Sequence, residues 1–186
     1  MNKQCILSVT GAHSGIGKTT LCSILLKEFK GFGAIKFTKT GIYTSVVDSP
    51  KVLDKEGKDT SIMMNAGAES VVWVRSPVED LNDALGIALR KLSGTRGIVI
   101  EGNSPVDFLN PHLVIFIIGE DGEIKTTALK VSSKADIVVI NSMNPDLKRP
   151  SPFPASRKET KFFRINLKEK KGEIGEFLTY VRRNLD

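Results

Sequence analysis

The chain has 186 residues, of which 40% are hydrophobic, and these values predict one globular domain, residues 1–186, with a sizeable core. The longest apolar run, residues 113–118, is too short to cross a bilayer and no export signal is visible, so we expect a cytoplasmic protein without a membrane partner. The formal charge of +6 permits a polyanionic partner. Nucleic acid is disfavoured, because glutamates interrupt the basic C-terminal part and aromatic interleaving is lacking.

The chain contains two cysteines and two histidines. Cys5 and Cys22 have aliphatic neighbours, which predicts buried, reduced thiols. Together with His13 and His112 they show no metal-ligand spacing, which argues against a dedicated zinc or nickel site. The metal to expect is Mg²⁺ that arrives with a phosphate group.

Apolar runs alternate with amphipathic stretches along the chain. The runs are rich in β-branched residues, which predicts buried strands at residues 5–9, 34–37, 71–74, 97–100, 113–118, 137–140 and 162–165. Helices are predicted at residues 18–29, 60–66, 77–92 and 172–184. This alternation predicts an α/β protein, a three-layer α/β/α sandwich with a mostly parallel sheet.

Three segments fit no regular element. Residues 38–58 form a predicted loop that is longer than compact domains normally tolerate without a function, so it is a candidate active-site or switch loop. Residues 119–123 are interpreted as a tight turn, and residues 144–154, with four prolines, as a surface loop.

The segment GAHSGIGKTT joins the first predicted strand to the first predicted helix, which is the context of a phosphate-binding loop. Its glycines would let backbone N–H groups converge on phosphate oxygens, Lys18 would reach the β- and γ-phosphates, and Thr19 would ligate Mg²⁺. The usual pattern has glycine at position 12, where this chain has alanine, and a glycine stands one residue earlier. We expect the imidazole of His13 to point to solvent rather than to the phosphates. The residues expected to contact the nucleotide, GTP or ATP, are Gly11, Ala12, His13, Ser14, Gly15, Ile16, Gly17, Lys18, Thr19 and Thr20.

Two segments resemble known P-loop families. Residues 10–20 resemble the phosphate loops of dethiobiotin synthetase and the cobyrinic-acid amidating synthetases, which also place a glycine one residue early. Residues 55–74 resemble the molybdopterin-guanine dinucleotide biosynthesis protein B family, whose K-x-G-K-D-[ST] and A-G-A motifs match Lys55, Gly57, Lys58, Asp59 and Thr60, then Ala66, Gly67 and Ala68. The resemblance implies the dimeric, switch-like class of P-loop NTPases, so we expect a homodimer.

Two carboxylates are candidates for the metal site. Asp59 at a predicted helix start would either cap the helix or, beside the phosphate loop, order Mg²⁺ or the attacking water. Glu101 ends a predicted buried strand, where open α/β sheets bind ligands. By resemblance to the Glu-Gly of protein B it is the second acidic partner of Mg²⁺, the alternative being a surface residue at a turn. We expect Thr19, Asp59 and Glu101 to hold the metal, and Lys18, Asp59 and Glu101 to carry catalysis.

Residues 134–147 resemble the base-recognition segment of the nickel-insertion GTPases of urease and hydrogenase, in which a strand ends in N-K-x-D. Asn141 is kept here, Ser142 replaces the lysine, and Asn144 replaces the aspartate whose carboxylate would accept two hydrogen bonds from guanine. Asn141 and Asn144 are therefore candidate base contacts, and both guanine and adenine stay open.

Two further pairs of residues have open alternatives. Residues 162–181 resemble the closing strand and helix of the same GTPases, which implies that Asn166 and Lys168 touch the base; the alternative is solvated polar residues at a strand end. Lys36 stands near the end of the second predicted strand, where protein B also has a lysine and dethiobiotin synthetase has a lysine that faces phosphate. Protein B continues with a histidine-rich stretch, whereas this chain has residues 37–40, which include Lys39 and no histidine. Lys36 and Lys39 are either phosphate ligands or surface lysines.

The protein B resemblance implies an accessory factor of molybdenum cofactor biosynthesis that binds Mg²⁺ with GTP or ATP and serves a larger cofactor-biosynthesis enzyme. No strong general base is visible in the sequence, which favours slow hydrolysis. The first alternative is an ATP-dependent small-molecule ligase or kinase of the dethiobiotin synthetase type, in which Lys36 and Lys39 hold a second substrate. The second alternative is a non-catalytic nucleotide-binding adaptor.

Overall fold

A sheet of nine strands runs through the part of the chain that this computed structural model describes, residues 4–54, 58–142, 144 and 160–185. The strands are β1 (Cys5–Gly11), β2 (Phe32–Lys39), β3 (Ser45–Val47), β4 (Val71–Ser76), β5 (Gly97–Glu101), β6 (Leu113–Gly119), β7 (Ile137–Asn141), β8 (Lys161–Asn166) and β9 (Lys171–Gly172).

The strand order is β3-β4-β2-β5-β1-β6-β7-β8-β9. Neighbouring strands from β4 to β8 pair in parallel, and only the short edge strands β3 and β9 pair antiparallel. The mostly parallel sheet and all seven predicted strands are therefore confirmed. The two edge strands were not predicted, because two or three residues carry no periodic pattern.

Helices connect the parallel strands, and the structure changes several of the predicted limits. The helix predicted at residues 77–92 begins only at Leu81, and the one predicted at residues 172–184 begins at Ile174, after β9. The helices are α1 (Lys18–Glu28), α2 (Pro50–Leu53), α3 (Asp59–Asn65), α4 (Leu81–Lys91), α5 (Thr126–Ser132) and α6 (Ile174–Arg183), with a short 3₁₀ helix at Ser104–Asp107.

The segment predicted as a long loop, residues 38–58, is partly ordered into regular elements. Its first two residues extend β2, and β3 and α2 follow. The prediction of a structureless loop was wrong there, because β3 is held by pairing with β4, about 30 residues further along the chain. Lys55 and Gly57 lie outside the described residues, as does the predicted surface loop at residues 144–154 apart from Asn144.

Two helical layers enclose the sheet, as the three-layer prediction requires. On one face, side chains of α1, α3 and α6 pack against β1, β5, β6 and β7 in one buried cluster that includes Phe177. On the other face, α4 covers β2, β4 and β5, and α5 covers β6 and β7. Among the described helices, none combines the length and apolar character that a bilayer crossing requires. Because β2 and β1 flank β5, the carboxyl ends of these three parallel strands meet at one edge of the sheet.

Candidate functional site

The predicted phosphate loop connects β1 to α1 at this edge. Gly15 and Gly17 adopt φ values of +79° and +107°, a left-handed backbone that favours glycine. A Cβ atom at Gly17 would also lie 2.8 Å from Leu167 Cδ1. Gly11 is the glycine that stands one residue earlier than in the usual pattern. Packing explains it, because a Cβ atom at this position would lie 2.6 Å from Ile16 Cγ2. Ala12 is buried, and its N–H donates to the carbonyl of Ile117 on β6, so the alanine is part of the core.

The ammonium group of Lys18 folds back over the loop. Its Nζ donates to the carbonyl oxygen of His13 at 3.0 Å, so it spans the space enclosed by the loop backbone. Burial lowers the pKa of Lys18, and the positive charge of Lys36 acts in the same direction, against the opposing effect of Glu101. The half-buried imidazole of His13 donates from Nδ1 to the carbonyl of Ser14, while Ser14 and Gly15 are exposed.

Four side chains from four elements meet beside the loop. Thr19 Oγ1, in the first turn of α1, lies 3.0 Å from Asp59 Oδ1 and 3.0 Å from Glu101 Oε2. Lys36 Nζ, on β2, donates to Glu101 Oε1 at 2.5 Å and lies 2.5 Å from Asp59 Oδ2. The strand register explains part of this arrangement, since Lys36 and Glu101 are paired residues of β2 and β5. We call Thr19, Lys36, Asp59 and Glu101 the carboxylate cluster.

The structure decides between several of the alternatives for these residues. Lys58, not Asp59, is the N-cap residue of α3, so the capping interpretation of Asp59 is wrong. Glu101 is only 2% exposed, so it is not a surface residue at a turn. Lys36 belongs to the cluster, whereas Lys39 is exposed at the end of β2.

Electrostatics couple the members of the cluster. Burial acts to lower the pKa of Lys36, but the charge of Glu101 and the hydrogen bonds to both carboxylates outweigh it, so the pKa is raised. Burial acts to raise the pKa of Asp59, but the hydrogen bond and charge of Lys36, together with the hydrogen bond from Thr19 and the charge of Lys18, outweigh it, so that pKa is lowered. The cluster thus contains two carboxylates, Asp59 and Glu101, and one ammonium group, so negative charge is in excess when all three are ionised. The carboxylate oxygens and the Thr19 hydroxyl are oxygen donors of the kind that Mg²⁺ prefers.

Asn141, at the end of β7, connects two loops. Its Nδ2 donates to the carbonyl of Ile16 in the phosphate loop at 3.0 Å, and its Oδ1 accepts from the N–H of Leu167 after β8 at 3.1 Å. The structure therefore places Asn141 between the phosphate loop and the loop predicted to touch the base.

Replacing Asn141 with alanine removes both hydrogen bonds. We expect the free energy of unfolding to fall by about 2 kcal/mol, at about 1 kcal/mol per bond, and nucleotide binding to weaken roughly 10-fold because the phosphate loop loses its support. Chemical denaturation and nucleotide titration measure the two effects. Asn82→Ala, on the exposed face of α4, is the matched control and should change neither. Unchanged binding in Asn141→Ala would contradict the supporting role.

A cleft of about 370 Å³ lies beyond Asn141 and includes Ser142, Asn144 and Asn166 in its lining. Asn144 is exposed, and Asn166 is buried and accepts a hydrogen bond from the N–H of Glu169 at 3.0 Å. The cleft brings together Asn144 and Asn166, one candidate base contact from each segment. Asn141 does not line it, Lys168 is exposed, and Met143 lies outside the described residues.

Sequence reasoning missed Glu120, which follows β6 at the same edge of the sheet. Its Oε1 accepts hydrogen bonds from Ser142 Oγ at 2.5 Å and from the N–H of Asn144 at 3.1 Å. A carboxylate therefore lies against the segment in which Asn144 replaces the expected aspartate. Its position after a buried strand, like that of Glu101, was the signal that could have identified it.

The fold and the loop define the class of this protein. The three-layer α/β arrangement, with a glycine-containing loop between its first strand and first helix, is that of the P-loop NTPases, and solved structures of that superfamily are similar to it. No protein-family model matches the sequence, and no curated protein matches it either.

Individual structures have the same fold at low sequence identity. The hydrogenase maturation factor HypB from Archaeoglobus fulgidus is 17% identical, with 98% of this chain and 91% of that chain covered and a TM-score of 0.61. HypB from Helicobacter pylori, solved in complex with nickel, is 17% identical over 98% and 89% of the two chains, with a TM-score of 0.58. LpxK from Aquifex aeolicus, solved with ATP, is 19% identical over 87% of this chain but only 53% of its own length, with a TM-score of 0.57. At these identities the likeness concerns the fold alone, so the resemblance to protein B stays a prediction from the sequence.

Proposed function

We propose that this protein binds GTP or ATP with Mg²⁺ and hydrolyses it slowly, as an accessory factor in molybdenum cofactor biosynthesis. The observation that carries the nucleotide and metal part is the carboxylate cluster beside Lys18 and the phosphate loop. The cofactor part rests on the resemblance of residues 55–74 to protein B. Its described part includes Asp59, whose carboxylate belongs to the cluster.

The chemistry follows from the positions of the groups. Lys18 and the N–H groups of the loop would stabilise negative charge on the γ-phosphate. Thr19, Asp59 and Glu101 would hold Mg²⁺, which neutralises phosphate charge and orients the attacking water when it is bound. Both carboxylates are engaged by Lys36 and Thr19, so neither is positioned as an unoccupied general base, in agreement with slow turnover. A larger cofactor-biosynthesis enzyme, or the second subunit of a homodimer, would then supply the missing acceleration.

A titration with fluorescent GTP and fluorescent ATP in the presence of Mg²⁺ tests this proposal and decides the base. Tighter binding of GTP supports the protein B interpretation and assigns guanine recognition to a site without the usual aspartate. Tighter binding of ATP favours the ligase or kinase interpretation instead. Absence of binding for both nucleotides overturns the nucleotide proposal itself.

The small-molecule ligase or kinase remains the second candidate because of one specific observation. A cavity opens next to the carboxylate cluster, and Lys36 and Asp59 contribute to its lining. Single-turnover measurements distinguish the candidates: nucleotide consumption that requires an added acceptor favours the ligase or kinase, whereas slow hydrolysis without an acceptor favours the accessory NTPase. A turnover rate equal to background would favour the non-catalytic adaptor.

A further inference from the structure

The cavity beside the carboxylate cluster has walls from β2, β4 and α3. Its volume is about 270 Å³, and we call it the Trp73 pocket. Lys36 and Trp73 are paired residues of β2 and β4, so they are adjacent in the sheet. The pocket is lined by Lys36, Thr38, Lys58, Asp59, Thr60 and Trp73.

Among the described residues, positive charge exceeds negative charge around the indole ring of Trp73. The ammonium of Lys58 lies 5.1 Å from the centre of the Trp73 ring, and the guanidinium of Arg75 lies 4.4 Å from it. Both contacts are within the range of cation–π attraction. Among the described lining residues Asp59 is the one carboxylate, and Lys36 already pairs with it. Within the described residues, neither Lys58 nor Arg75 forms an ion pair with a carboxylate.

The hydroxyl groups of the pocket are also arranged for an acceptor ligand. Thr38 Oγ1 accepts a hydrogen bond from Trp73 Nε1 at 3.0 Å, which fixes the indole against β2. In the part of the chain that the structure describes, the Thr38 hydroxyl donates to no protein group, so its proton is available to a ligand oxygen. The Thr60 hydroxyl already donates its proton to the carbonyl of Leu53, so this side chain only forms part of the pocket wall.

We propose that the Trp73 pocket binds the anionic group, a carboxylate or a phosphate, of a small second ligand next to the nucleotide site. Lys58 supplies the charge, Thr38 supplies a hydrogen bond, and the indole forms the apolar wall. The volume is below the usual range of about 300–1,000 Å³ for drug-sized ligands, which fits a small molecule. The proposal goes beyond nucleotide binding, because the phosphates of the nucleotide are assigned to the loop and Lys18.

The chain itself provides the probe, since Trp73 is its single tryptophan. Nucleotide-free protein is titrated with malonate and, separately, with inorganic phosphate at constant ionic strength set with sodium chloride, while tryptophan emission is recorded. We expect a saturable change in emission with at least one of the two anions. Lys58→Gln should weaken that response at least fivefold, Lys58→Arg should retain it, and Lys51→Gln, which changes an exposed lysine of α2, should match wild type.

A second variant separates this pocket from the phosphate loop. Lys18→Ala should keep the emission response, since the loop lysine does not line the pocket. Loss of the response in Lys18→Ala would place the anion in the loop and overturn the proposal. A Lys58→Gln response equal to wild type, or no saturable change with either anion, would overturn it as well. The test requires no nucleotide, so its failure is distinguishable from failure of the proposed function.

Discussion

Lys18→Ala should weaken nucleotide binding by up to about 100-fold while the fold remains intact. The ammonium of Lys18 reaches into the phosphate loop, where it donates to the carbonyl of His13. A charge-assisted hydrogen bond to phosphate is worth up to about 3 kcal/mol, so affinity should fall by up to about 100-fold. Titration with fluorescent GTP and ATP measures the change.

The same substitution should not lower the stability of the nucleotide-free protein. The lowered pKa of Lys18 indicates that its charged form is disfavoured by burial, so its removal takes away an unfavourable desolvation. The midpoint of thermal unfolding should therefore be equal to or above that of wild type. Lys27→Ala, an exposed substitution on the same helix, is the matched control for affinity. If Lys18→Ala binds nucleotide with wild-type affinity, the assignment of nucleotide binding to the phosphate loop is contradicted.

Glu101→Gln should lower both stability and the response to Mg²⁺. The side chain is 3% exposed and accepts from Lys36, so the neutral amide leaves a largely buried ammonium with Asp59 as its remaining carboxylate. Removing one partner of a buried pair costs about 3 kcal/mol, and we expect a loss of that order in the free energy of unfolding. Loss of one oxygen anion should also weaken Mg²⁺-dependent nucleotide binding by roughly 10-fold.

A double substitution separates these two effects. In the single variant Glu101→Gln, the buried ammonium of Lys36 has lost one of its two carboxylate partners. Adding Lys36→Met removes that ammonium, so the double variant should regain most of the lost stability. The Mg²⁺ response should stay weak, because the carboxylate is still missing. Denaturation and Mg²⁺ titration of the two single variants, the double variant and the exposed control Glu123→Gln complete the cycle. Equal destabilisation of Glu101→Gln and the double variant would show that the ion pair is not the source of the loss.

Mg²⁺ and Lys36 would interact with the same two carboxylates. The ammonium of Lys36 lies between Asp59 and Glu101. A divalent cation bound by those oxygens would repel the ammonium of Lys36.

Local patterns were sufficient to predict the central elements. Most buried strands contain a continuous apolar run, and the predicted phosphate loop is one contiguous segment in which glycines, a lysine and a threonine stand at fixed spacing. The alternation of runs and amphipathic stretches also predicted the parallel sheet. The short elements β3, β9, α2 and α5 were not predicted, because they depend on tertiary contacts more than on their own sequence.

The arrangement of the candidate site required the tertiary structure. Thr19 is 40 residues from Asp59 and 82 residues from Glu101, and spacing along the chain does not reveal that these groups share hydrogen bonds. Likewise the positions of Glu120 and Trp73 depend on strand order and register. The amino-acid sequence by itself determined the phosphate loop and the strands, because those signals are local. Only the tertiary structure decided which distant side chains surround the loop, because the order and register of parallel strands arise from packing across the whole sheet.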